Sequence, residues 1–212
     1  MGNDAARASD IRISLRLEIV TVLWMVVESV VALGAGIVAG SILLTAFGID
    51  SVIELLSGSV LLWRFSVEAR GGDVERVEQV ERRATWVAAV TLVLLCIYVL
   101  VSALMGLVTQ SKPGSSLVGI VLSVAAVIVM PWLGIAKRRL ADRIDSDALR
   151  GDAAESFTCG YMAAAVLVGL ALNAALHWWW AEDAGALIFL IWLVGEAREA
   201  LEESREARED AD

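Results

Sequence analysis

Hydrophobic positions in this chain do not alternate with polar ones. They run together for about twenty residues at a time, between short charged segments, which is the spacing of bilayer-crossing helices. Six such runs predict six helices, over residues 15–39, 41–64, 84–108, 115–136, 150–176 and 183–200. The third has no charge between Arg83 and Lys112, and the fourth has none between Lys112 and Lys137. Pro131 is expected to kink the fourth. The sixth is the least clear, because Glu196 and Arg198 end its apolar stretch early. Each run is too long for a barrel strand, and backbone in lipid must bond to itself, so the fold class is an all-α membrane protein with six transmembrane helices.

Composition agrees with that pattern. The 212 residues are 58% apolar and 20% charged, with a mean hydropathy of +0.71, more apolar surface than one aqueous core hides. Residues 1–14 and 201–212 flank the bundle as a short N-terminal segment and an acidic tail, and the 15–200 bundle is the single folded domain. From Glu196 onward eight acids face three Arg, the pattern of a solvated helix end that frays. Between the second and third runs, Gly71-Gly72 is followed by a charged helical pattern with Val74, Val77 and Val80 on one side.

The positions of the basic residues set the orientation. Sixteen of the seventeen Lys and Arg lie on one side: at or before the start of the first run, from the end of the second to the third, from the fourth to the start of the fifth, or at and beyond the end of the sixth. Only Lys112 lies on the other side. The positive-inside rule therefore predicts both termini in the cytoplasm, in a plasma (inner) membrane. Trp178, Trp179 and Trp180 then fall at the outer interface, with His177 beside them.

Several chemistries are excluded by counting. Two Cys give no disulfide framework, and one His gives no His-rich zinc peptidase. Neither Lys112 nor Lys137 completes a phosphate-binding loop. A net charge of −9 without a basic patch gives no nucleic-acid surface. No nucleophile with a positioned base is visible, so an enzyme is not expected. The N-terminus has Gly2 but Ala6 where a myristoylation signal needs Ser or Thr, and it shows no signal-peptide pattern.

The informative residues are acids inside the apolar runs. A carboxylate at mid-bilayer costs about 2.5–3.5 kcal/mol on insertion scales, so each one implies a cavity or a partner. Asp50 and Glu54 are one helical turn apart on one face, and Glu155 and Cys159 repeat the spacing in the fifth run. Two helices each offering such a pair can present four donors to one dication, and carboxylate with thiolate suits Zn²⁺ or Cd²⁺ better than Mg²⁺ or Ca²⁺. Straight helices put the two pairs at depths about 10 Å apart, a difference that tilt or a longer fifth helix removes. Glu28 is a candidate proton carrier or a brace between helices. Asp152, near Arg150, is either an acid on the ion's way in or an interfacial acid. Cys159 alone reads equally as a small buried hydrophobe, and Cys96 as core. Gly34, Gly36 and Gly40 suit close helix packing.

At these residues the chain resembles the cation diffusion facilitator family. Gly40–Gly58, GSILLTAFGIDSVIELLSG, is similar to that family's second helix, where two acids four apart bind metal. Ala148–Asn173, opening ALRGD, resembles its fifth helix, with an ALRAD lead-in and a His-x-x-x-Asp pair. Trp178–Ala197 resembles its sixth helix, where Asp-Pro is usual and Asp183-Ala184 stands here. The resemblance places metal ligands at Asp50, Glu54, Glu155 and Cys159, with Glu for His and a thiol for carboxylate. It implies proton-coupled efflux of a divalent cation, Zn²⁺ before Cd²⁺, Co²⁺, Fe²⁺ or Mn²⁺, with Glu28 or Asp152 in proton coupling or metal admission. No resident cofactor is expected, and the partners are the transported ion, protons, the bilayer and a second copy of the chain as a homodimer. The family's usual cytoplasmic domain after the sixth helix is expected to be missing. Two other readings stand beside this one: a proton-coupled exporter of organic cations, and a non-transporting membrane subunit that binds metal or braces partners.

Overall fold

The computed structural model describes residues 2–68, 74–110, 113–144 and 147–209. Gly71-Gly72, Arg70 and Lys112 lie outside the described residues. So do the side chains of Arg7, Arg12, Arg64, Arg76, Arg82, Arg83 and Arg208, and those of Val74, Val77 and Val80.

Six helices make up the described residues: α1 (Gly2–Ala39), α2 (Ile42–Glu68), α3 (Val74–Thr109), α4 (Leu117–Ile144), α5 (Asp147–Leu176) and α6 (Ala181–Glu209). They correspond one to one with the six apolar runs, each extended by its charged flank. Local chemistry sets the boundaries at the end of the bundle away from the chain termini. Gly40, at φ +64°, turns the chain out of α1, and the Ser41 hydroxyl accepts the Leu44 amide to cap α2. Ser116 caps α4 in the same way through the Gly119 amide. α5 closes at His177, whose left-handed φ of 53° lets its amide reach the Asn173 carbonyl. α4 stays helical through Pro131.

The helices form a closed ring in the spatial order α1, α2, α3, α6, α5, α4, and α2 also leans across it to touch α5 and α6. α2 is accordingly the most buried of the five helices that are long and apolar enough to cross a membrane. α6 falls short of that standard, yet Phe189, Leu193 and Ala197 bury it in the common core. Its helix continues to Glu209, with Ser204 buried and Glu202 and Arg205 exposed. Outside the ring, Leu23, Val30, Val38, Leu94, Met105, Val121, Ile128, Val168 and Ile191 are exposed, as lipid contact requires. The protein is an all-α membrane protein.

Small residues set how closely α1 and α2 approach, Gly36 among them. A Cβ at Gly36 would meet the Thr45 backbone, and one at Gly48 would meet the Leu33 backbone nitrogen at 2.8 Å. Gly34 has open space around it and Gly40 serves the turn, so of the three glycines suited to close packing Gly36 is the one that packs within the chain.

Candidate functional site

One face of α1 carries Ser14, Glu18, Thr21, Met25, Glu28 and Ala32, spaced three and four apart and all buried. Two ionisable side chains on that stripe reach into two separate polar clusters.

The central cluster surrounds Glu28. One of its oxygens accepts hydrogen bonds from Ser51 Oγ of α2 at 2.8 Å and from Cys159 Sγ of α5 at 3.5 Å. The other accepts the Trp24 indole N–H one turn earlier. Asp50 and Glu54 stand beside Ser51 on α2, almost wholly buried. Their four oxygens make no hydrogen bond among the described residues. They lie within electrostatic range of one another, of Glu28, of Glu155 and of Glu196 on α6. Glu54, Glu28 and Asp50 are in turn the charged neighbours of the Cys159 thiol. Three buried carboxyl groups, Glu28, Asp50 and Glu54, and a thiol thus share one dry region, and among the described residues no cation pairs with Asp50 or Glu54.

Of the four donors predicted from spacing, Asp50, Glu54 and Cys159 are brought to that region. Glu155 sits on an exposed flank of α5, and the face of α5 turned inward is instead Asp152, Ser156 and Cys159. As placed, no group of three or more His, Cys, Asp or Glu among the described residues is tight enough to hold one ion. Glu28 is hydrogen-bonded to Cys159, which also has Glu54 and Asp50 as charged neighbours. Glu196, which ends the apolar stretch of α6 in the sequence, is half-buried and within electrostatic range of Asp50 and Cys96.

The second cluster lies toward the end of the bundle that holds both chain termini. Lys137 is completely buried. Its ammonium is 2.5 Å from Asp152 of α5 and 3.4 Å from Glu18 of α1. In the sequence Lys137 opens the basic segment between the fourth and fifth apolar runs. Its neighbours Arg138 and Arg139 are exposed, but Lys137 continues the buried row of Met130 and Leu133, one turn farther on. That periodicity was the available signal. Asp152 is correspondingly paired, and Arg150 reaches Asp142 at 3.3 Å.

A third polar contact ties the opposite end. Glu182, at the start of α6, accepts hydrogen bonds from Ser41 of α2 and, at 2.7 Å, from Asn173 of α5; Asn173 also donates to the Pro113 carbonyl. Asp183 fits against α3 only because Gly106 has no side chain. His177 is exposed at this end, and Trp178 and Trp180 stack 5.2 Å apart.

An unpaired acidic region at the centre of an apolar bundle attracts cations and protons and little else. The family model described as the cation efflux transmembrane domain matches residues 19–207. No curated protein matches the chain.

Proposed function

The chain belongs to the cation efflux transmembrane domain family, and from that premise we propose that it exports divalent metal cations, Zn²⁺ first, in exchange for protons. The observation that carries this reading is the pair Asp50 and Glu54. Two carboxylates a turn apart, buried and without hydrogen-bond partners among the described residues, are costly unless a cation or protons neutralise them. Cys159 across the region adds a soft ligand, which favours Zn²⁺ and Cd²⁺ over the hard dications.

Coupling follows from the ligands themselves. Carboxylates and a thiol bind metal only when deprotonated, so an arriving ion expels protons and a proton supply at the far side expels the ion. Glu28, hydrogen-bonded to the Cys159 thiol, is positioned to take the proton that metal binding releases there. On this reading both termini lie in the cytoplasm of a plasma (inner) membrane, the ion enters from the terminus end, and two copies of the chain work as a dimer. Glu155 lines the approach on the flank of α5 and contributes less than the pair on α2.

Uptake into inside-out vesicles tests the proposal. Asp50→Asn is expected to abolish pH-driven Zn²⁺ uptake. Undiminished uptake by that variant would falsify the reading, and uptake of lipophilic organic cations in place of Zn²⁺ would replace it with a different class of exporter.

A further inference from the structure

The cluster of Glu18, Lys137 and Asp152 has no part in the chemistry above, and its composition is unusual for a structural brace. A buried ion pair needs one acid for one base. Here two acids share a single ammonium, so the group keeps one negative charge in excess when all three are ionised. Glu18 Oε1 has neither a hydrogen bond nor an ion pair among the described residues, and the Lys137 ammonium has no partner there beyond Glu18 Oε2 and Asp152 Oδ2. The amine sits against Asp152 and only loosely against Glu18, at 2.5 Å and 3.4 Å. Its identity matters too. Arg138 and Arg139 follow directly, but the buried position is given to Lys, a point charge on a flexible stem, where Arg would fix a carboxylate with a rigid fork.

The location adds a second argument. Glu18 Oε1 lies 3.2 Å from where a Cβ on Gly58 would stand, and Gly58 is one turn beyond Glu54 on α2. Asp152 is two turns from Cys159 on the inward face of α5. The triad is therefore the next polar station from the central acids toward the end of the bundle where the termini lie.

We propose that Glu18 and Asp152 form a second divalent-cation site, and that the Lys137 ammonium occupies it as a tethered stand-in until an arriving ion displaces it. This inference rests on the export reading for the direction of travel, but not for the binding itself. Two facing carboxylates completed by water suit a dication as well as they suit the amine. When the ion takes the carboxylates, Lys137 swings toward the headgroups; when the ion moves on to Glu54 and Asp50, the amine returns and closes the way back.

Lys112 and Lys137 are the only lysines in the chain, which makes displacement measurable. In a Lys112→Arg protein, an amine-reactive reagent followed by peptide mass mapping reports the exposure of Lys137 alone among lysines. Saturating Zn²⁺ is expected to raise its labelling severalfold. Unchanged labelling in a protein that binds Zn²⁺ by equilibrium dialysis overturns the proposal. A second arm removes the central site with Asp50→Asn and Glu54→Gln. Adding Lys137→Met to that background removes the competing amine and is expected to tighten binding of the one remaining Zn²⁺ per chain severalfold, and further adding Glu18→Gln is expected to abolish it. No Zn²⁺ bound on adding Lys137→Met overturns the second site. Loss of uptake by Asp50→Asn alone bears only on the export reading, so the two failures are distinguishable.

Discussion

The central region and the Lys137 cluster are built from the same material on the same helix, and they solve the problem of buried charge in opposite ways. Around Glu28, the acids Asp50, Glu54 and Glu28 gather with Cys159, and among the described residues no base answers them. Around Lys137, two acids of the same kind close on an amine supplied by α4. Desolvating a carboxylate costs several kcal/mol in either place. One cluster meets most of that cost with a cation belonging to the chain. The other has no such cation among the described residues. The contrast teaches that in an apolar bundle the absence of a counter-charge is as informative as the acids themselves.

Four measurements break or sharpen this contrast. The largest effect belongs to the centre. Asp50→Asn combined with Glu54→Gln is expected to weaken Zn²⁺ binding in calorimetry by at least about 100-fold, beyond what outer hydrogen-bond partners contribute to metal sites. Retention of near-normal affinity would mean that the unpaired acids are not the binding site.

Lys137→Met comes next. Removing one member of a buried ion pair typically costs about 3–5 kcal/mol, so the unfolding midpoint in detergent should fall sharply. If the amine stands in for a cation, Zn²⁺ restores a large part of the loss. A purely structural brace gives the same fall with no rescue.

Cys159→Ser separates soft from hard coordination. The ultraviolet thiolate band of bound Cd²⁺ should vanish, and Cd²⁺ affinity should fall about 10-fold more than Mn²⁺ affinity, since sulfur selects the softer ion. Persistence of the band would move the soft ligand to Cys96. Glu155→Gln is the smallest change. An exposed side chain on the flank of α5 is expected to alter stability by less than about 0.5 kcal/mol and initial uptake by no more than about threefold. An effect equal to that of Asp50→Asn would show that α5 rotates to bring Glu155 inward during transport.

What the sequence could convey followed from how strongly physics constrains each feature. The helices were legible because a charge-free run of bilayer length admits one backbone solution, and all six appear within a few residues of their expected bounds except where charged flanks lengthen them. Asp50 and Glu54 were legible because spacing on a single helix fixes their common face. The partnership of Glu28 with Cys159 was not, since it depends on how α1 and α5 are juxtaposed across 131 positions of chain. The burial of Lys137 was not legible for a related reason. Its place beside two arginines at the end of an apolar run looks interfacial, and only its register with Met130 and Leu133 points inward. Glu155 is the opposite case: the i, i+4 rule pairs it with Cys159, whereas the structure sets it on an exposed flank of α5 and turns Asp152, Ser156 and Cys159 inward.

The stripe on α1 has a mechanical corollary. Glu18 and Glu28 are ten residues apart on one uninterrupted helix, so about 15 Å of stiff rod separates their attachment points. A rod conveys displacement along its length. If α1 slides or tilts to loosen the grip on Lys137, the oxygen that braces Ser51 and Cys159 must shift in the same stroke, and neither station can be reset while the other stays still.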